Sequence, residues 1–174
     1  LEKLQNWSYE SLDNDLLKES FVSAQKVSIE AKKKEAYRIV QLVTGTATTT
    51  AGINPIPLSD ALLIAPQQIV MCMRIAHIFK FDAMGEGVTA LLKQQVISLV
   101  GKQLAASLTK FIPVVGNIIN AGVAGTLTFA LGATMIEIYS KAYIEYLDNG
   151  KLPDWTVVFS SGKFFEIFSK NKDE

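Results

Sequence analysis

An all-α bundle is the fold this sequence predicts, and three observations predict it. Alternating apolar and polar runs, the mark of a half-buried strand, are nearly absent. Apolar residues instead recur at helical spacing in long stretches, separated by corners that contain proline or glycine. Charge thins out between Ile39 and Ile136, where only Asp60, Arg74, Lys80, Asp82, Glu86, Lys93, Lys102 and Lys110 occur. An apolar centre is thus bracketed by polar ends. The expected architecture is a helical bundle of four to five helices with long central apolar hairpins, spanning 17–174 after a polar lead-in at 1–16.

Each element has its own signal. The lead-in is mixed in character and is expected to be ordered only in part. From Leu17 a helical pattern sets in, with Val22, Ile29, Ala36 and Val43 recurring every seven residues. It runs into "VTGTATTTAG", whose β-branched threonines lower helix propensity, so packing must hold that end. Asn54 to Pro57 reads as an extended corner, because each proline disfavours the α region for the residue before it and removes a backbone donor. Ser59 or Asp60 then caps a second helix over 60–79, in which Pro66 predicts a kink or a delayed start. "DAMGEG" reads as a turn. A third helix over 88–110 carries Leu91, Leu92, Val96, Leu99, Leu104 and Leu108, and "FIPVVGN" ends it. The fourth and longest helix spans 117–148, with Gly150 as the residue that terminates it. Pro153-Asp154 opens a last short helix that turns Trp155, Val158, Phe159, Phe165 and Phe168 to the core.

The bulk composition narrows the function. At 174 residues the chain suits one domain with a real core. Its 49% hydrophobic and 20% charged content, with a mean hydropathy of +0.23, is apolar for a soluble domain and short of a multi-span membrane protein. With a net charge of zero, nothing global argues for nucleic acid or for acidic lipid. The single cysteine, Cys72, rules out an internal disulfide framework. The first residue is not methionine and no basic-then-apolar leader follows it, which leads us to expect a segment with more protein upstream.

No residue constellation points to catalysis. A phosphate-cradling loop needs GxxxxGK[ST]; "GTATTTAG" lacks the lysine, and "SSGKFF" lacks the first glycine and the hydroxyl. His77 is the only histidine and sits on an apolar helix, so it reads as a partly buried structural residue. Cys72 reads as a core residue, and five residues apart the two do not face one another well on a helix. No catalytic, cofactor-binding or metal-binding residue is assigned. Asp60 reads as a helix cap, with a polar contact to a partner at the corner as its alternative. Of Gln67 and Gln68, one is expected to hydrogen-bond a neighbouring turn. Lys26, Lys32, Lys33 and Lys34 read as a solvated face, with an acidic partner or lipid headgroups as the functional alternative.

The stretch from Phe111 to Ile136 holds no charged residue, long enough in principle to span a bilayer. Pro113, Asn117, Asn120 and a high Gly, Thr and Asn content weigh against insertion, so a buried helix is favoured over a membrane-associated hairpin. Its small residues at four-residue spacing permit close helix crossing, within the chain or in a homodimer.

Three blocks, "FVSAQKVSIEAKKKEAYRIV", "GINPIPLSDALLIAPQQIVM" and "KFIPVVGNIINAGVAGTLTFALGATMIEIY", together resemble the bacterial domain of unknown function numbered 697 over Phe21 to Tyr146. That domain commonly forms the helical C-terminal part of Era-like GTP-binding proteins and also occurs in small membrane-associated proteins. The family's P-x-P-x-x-D corner falls on Pro55, Pro57 and Asp60, and its Q-x-x-M on Gln68 and Met71. Its K-x-I-P-x-x-G falls on Lys110, Ile112, Pro113 and Gly116, followed by Asn120, Ala121 and Ala124, then Thr128, Leu131 and Gly132. One departure stands out: at "FKFDAMGEG" the family places a glycine directly after the aromatic, and this chain has Lys80. The resemblance implies a non-catalytic effector or anchoring domain whose GTP and Mg sit in an upstream G domain. Partners would be that G domain and a membrane or protein, at the cytoplasmic side of the inner membrane. The alternative is a stand-alone membrane-associated helical protein.

Overall fold

A computed structural model describes residues 2–24, 28–53, 59–81, 85–108 and 116–173. Among them every regular element is a helix: α1 (Glu2–Glu10), α2 (Asp15–Ala24), α3 (Ile29–Ile53), α4 (Ser59–Ile78), α5 (Glu86–Leu108), α6 (Gly116–Asn149), α7 (Trp155–Val158) and α8 (Ser161–Asp173). The chain is all-α. The described residues hold eight helices where four or five were expected, and the differences have local causes. The lead-in folds into α1 and the start of α2. Asn14 begins α2 by accepting the Leu16 N–H on its side chain at 2.8 Å. Ser28 begins α3 in the same way, its hydroxyl accepting the Ala31 N–H at 3.2 Å, so the helix expected from Leu17 onward is two helices. Asp154 caps α7 by accepting the Thr156 N–H at 2.9 Å, and the C-terminal segment divides into α7 and α8. Pro66 does not break α4, which runs through it from Ser59 to Ile78.

The most extensive packing is between α3 and α6, with α4 lying against both. Ile39, Val40, Ala36, Leu131 and Met135 are buried along this seam. Its closest approach is at Gly132: a Cβ built there would lie 2.4 Å from Val40 Cγ2, so only glycine lets the two helices pass at this spacing. Gln68 of α4 and Thr128 of α6 meet in the same core, the amide nitrogen donating to the hydroxyl at 3.0 Å. Both are buried, so the bond offsets part of the cost of removing two polar groups from water. The polar-to-neighbour contact expected of one glutamine is therefore made by Gln68, to another helix.

At one end of the bundle an aromatic cluster closes the core. Phe79 and Phe81, just past α4, pack against Tyr139 and Tyr143 of α6, and Phe81 meets Trp155 edge-on at 4.9 Å. Trp155 stacks on Phe159, which leads to Phe164 on α8. The sequence had turned Phe165 to the core; Phe164 is the fully buried one and Phe165 is half-buried. The chain reaches this cluster by a tight α4 terminus. Lys80 N–H donates to the His77 carbonyl at 3.0 Å and Phe81 N–H to the Ala76 carbonyl at 2.9 Å. This paired arrangement requires a left-handed residue, and Lys80 supplies it with φ of 62°. It is the position where the resembling family places glycine. Gly150 ends α6 with φ of 70°, as its place in "DNG" predicts.

Among the described residues no helix is long and apolar enough to cross a membrane.

Candidate functional site

Helix α4 turns one face to the core and another to the surface. The buried face carries Gln68, Met71, Cys72, Ile75 and Ala76. The other carries Ile69, Val70, Met73, Arg74 and His77, spaced by three and four residues and hence on adjoining turns of one side. With Leu16 and Glu19 of α2 and Thr89 and Lys93 of α5, these residues line a groove of about 490 Å³. Its floor is apolar: Val70 is 58% exposed, and Ile69 and Met73 are half-buried. A second, smaller hollow of about 300 Å³ adjoins it on the α3 side, between Val43, Thr46, Pro66, Gln67 and Val70. Val70 is common to both, so the outer face of α4 is one continuous apolar strip.

Polar groups in and near the groove are largely paired. Arg74 pairs with the buried Glu19 across the α2–α4 interface, its Nε donating to the second carboxylate oxygen at 3.3 Å. Ser23 donates its hydroxyl to the His77 carbonyl at 2.7 Å. On α3, Arg38 donates to Glu35 at 2.7 Å and to Asp15 at 3.1 Å, and Tyr9 of α1 donates to the same Glu35. Burial, then the Glu35 carboxylate, push the Tyr9 hydroxyl up to about 12. The Glu35 hydrogen bond raises Arg38 further, despite the opposing effect of its burial.

Lys32 corrects the expectation of a basic face at 26–34. It is fully buried, and its ammonium donates to three backbone carbonyls, of Val22 at 3.2 Å, Ser23 at 2.9 Å and Ile78 at 2.7 Å. Those carbonyls belong to the last turns of α2 and α4, which lack partners within their own helices and carry the negative ends of the helix dipoles. The ammonium also lies 4.9 Å from the centre of the Tyr143 ring. Burial pulls its pKa down to about 8, with the nearby Lys80 charge adding to the effect. Lys32 is a structural clamp and is withdrawn from any partner or lipid face. Of the other lysines named with it, Lys34 is exposed, Lys33 is paired at 3.9 Å with the exposed Glu30, and Lys26 lies outside the described residues.

The motif residues divide in the same way. Gln68, Met71, Thr128 and Gly132 are brought together in the α3–α4–α6 core. Asp60 lies in the first turn of α4, Gly116 opens α6 and Asn120 lies in its first turns, but the side chains of Asp60 and Asn120 lie outside the described ones. Pro55, Pro57, Lys110 and Pro113 lie outside the described residues altogether. Cys72 is buried beside Tyr139, and burial pushes its thiol up to about 12. Among the described residues the Tyr139 hydroxyl has no hydrogen-bond partner, and burial raises its pKa well above the usual tyrosine value. Among the described residues no group of three His, Cys, Asp or Glu side chains is placed to hold a metal ion.

Sequence reasoning missed the groove and the clamp alike. Ile69, Val70 and Met73 lie within the apolar run of the second helix, and nothing in their spacing says which side of α4 is left uncovered. The arrangement as a whole suits apolar docking beside a fixed ion pair, since the groove offers hydrocarbon surface and its Arg74 and Glu19 charges are already matched. The chain was compared with protein-family models, with curated proteins and with solved structures, and none of the three comparisons found a match.

Proposed function

We propose that this chain is a non-catalytic helical docking module of a bacterial GTP-binding protein. In this reading it couples the nucleotide state of an upstream G domain to a partner at the cytoplasmic side of the inner membrane. The observation that carries the reading is the uneven use of side chains. Glu19, Lys32, Glu35, Arg38 and Arg74 hold helices together, while the outer face of α4 lines a groove with the exposed Val70 and the half-buried Ile69 and Met73. Polar groups already matched within the fold are poor candidates for chemistry, and an open apolar strip is what a partner helix buries. The family resemblance supplies the G domain as that partner, and GTP and Mg would be bound there.

The test has two steps. The reading frame upstream of Leu1 should encode GxxxxGK[ST]; its absence sinks the GTP-binding part. The encoded G domain should then bind this chain with an affinity that differs between the GTP-analogue and GDP forms. Val70→Glu should lower that affinity at least tenfold with the circular dichroism spectrum intact. Unchanged affinity would show that the groove is not the docking surface. Flotation of the isolated chain with anionic vesicles in place of G-domain binding would favour the stand-alone membrane-associated protein.

A further inference from the structure

Residues 2–24 are attached to the rest of the molecule largely through polar groups. Among their described side chains Val22 is the one buried apolar group, and the other buried ones, Glu19 and Ser23, are polar. Leu4, Trp7, Leu16 and Leu17 point outward and are 55–67% exposed. Most attachments to the bundle are polar: Glu19 to Arg74, Asp15 to Arg38, Tyr9 to Glu35, Ser23 to the His77 carbonyl, and the Val22 and Ser23 carbonyls to Lys32, while Tyr9 and Phe21 pack half-buried against the core. At the same time α2 forms one wall of the α4 groove through Leu16 and Glu19.

We infer that the α1–α2 hairpin is a strap that swings off α4 as a unit, while α3, α4 and α6 stay packed, and that its departure widens the groove for a partner's apolar helix. Water can replace each polar contact that holds the strap. Glu19, Asp15 and the two carbonyls are rehydrated when it leaves, and the hydrocarbon exposed is that of Val22 and the half-buried Tyr9 and Phe21. Parting α3 from α6 would instead bare the whole apolar seam around Val40 and Leu131. Arg74 and Lys32 keep their positions on α4 and α3 and recapture α2 when it returns. The strap rests on the docking proposal only for its consequence, since the hinge itself needs no partner.

Hydrogen exchange on the intact chain, followed by mass spectrometry in rising sub-denaturing urea, tests it. Amides of 19–24 should exchange through an opening at least about 100-fold more populated than the one that frees 126–143 of α6. Arg74→Met should raise exchange in 19–24 a further tenfold and leave α6 unmoved. Equal protection of the two segments would overturn the strap, as would a variant that moves both or neither. Should Arg74→Met fail to fold, the wild-type profile alone decides. No partner is present, so a strap that stays shut sinks this inference and leaves the docking proposal to its own binding experiment.

Discussion

Where α6 crosses α3, Gly132 faces Val40 and hydrocarbon fills the space between the helices; where α2 crosses α4, Glu19 faces Arg74 and a lysine clamps the helix end. The first interface excludes water by fit, the second is held by matched charges and hydrogen bonds. Fit is unforgiving of added volume and indifferent to pH, because neither partner titrates. Matched polar groups tolerate exchange with water and respond to protonation. The two regions should therefore fail in different ways, and substitutions can be ranked by which interface they strike.

The largest effect is expected at the seam. Gly132→Leu should destabilise by at least about 3 kcal/mol in urea unfolding, since its Cβ alone falls within 2.4 Å of Val40 Cγ2. Gly132→Ala gains about 1 kcal/mol of helix propensity but should still lose about 1–3 kcal/mol net. Pairing it with Val40→Ala should restore part of that loss, which would locate the clash.

Lys32→Met comes next, because it strikes the junction of the two regions. It strips three buried carbonyls of their donor and should cost about 2 kcal/mol at neutral pH, the relief of ammonium desolvation offsetting the rest. The sign of its pH dependence follows from a folded pKa of about 8 against an ordinary value of 10.5. Between those values the unfolded chain binds the extra proton, so the Lys32 contribution rises with pH. The stability gap between wild type and Lys32→Met should widen from pH 8 to 10.5 and stay flat below 8. A gap that narrows over that window would contradict the burial of the ammonium.

Smaller effects complete the ranking. Lys80→Gly should stabilise by about 0.5–1 kcal/mol, measured as a raised urea midpoint, because it relieves a left-handed lysine. Replacing Lys33 and Lys34 by alanine should change stability by less than about 0.5 kcal/mol, as their side chains reach solvent.

The ranking also marks what the sequence could and could not reveal. The four long helices α3 to α6 were legible because their apolar residues recur at helical spacing over many turns, and Gly150 announced the end of α6. The hairpin was legible only in part: a helix from Leu17 with Val22 inward was expected, but α1 and the break before Ser28 were not, because short helices held largely by tertiary ion pairs leave little periodic signal. Asn14 and Ser28 were available as cap residues, but a polar stretch offers many such candidates and only the docked geometry selects two. Gly132 and Thr128 were legible as motif positions, whereas their partners, Val40 and Gln68, depend on how three helices meet. Lys32 was read as solvated because a run of three lysines suits a wet face. What buries it is the convergence of the α2 and α4 termini, a property of the fold and of no local pattern. Lys80 shows the converse: a lysine stood out in the sequence at a turn where the family it resembles has glycine, and the left-handed backbone there gives that difference a physical meaning.

The central claim is that the polar hairpin and the apolar seam are separate units of stability, and Cys72 can test it directly. Its thiol is fully buried against α6 and held near a pKa of about 12, so an aromatic disulfide reagent reaches it only when α4 parts from α6. Labelling rates should be measured for wild type, Arg74→Met and Gly132→Ala under native conditions. Gly132→Ala should speed labelling about tenfold or more, in line with its lost stability, and Arg74→Met should leave the rate within about threefold of wild type. Labelling accelerated as much by Arg74→Met as by Gly132→Ala would show that the hairpin and the seam open together.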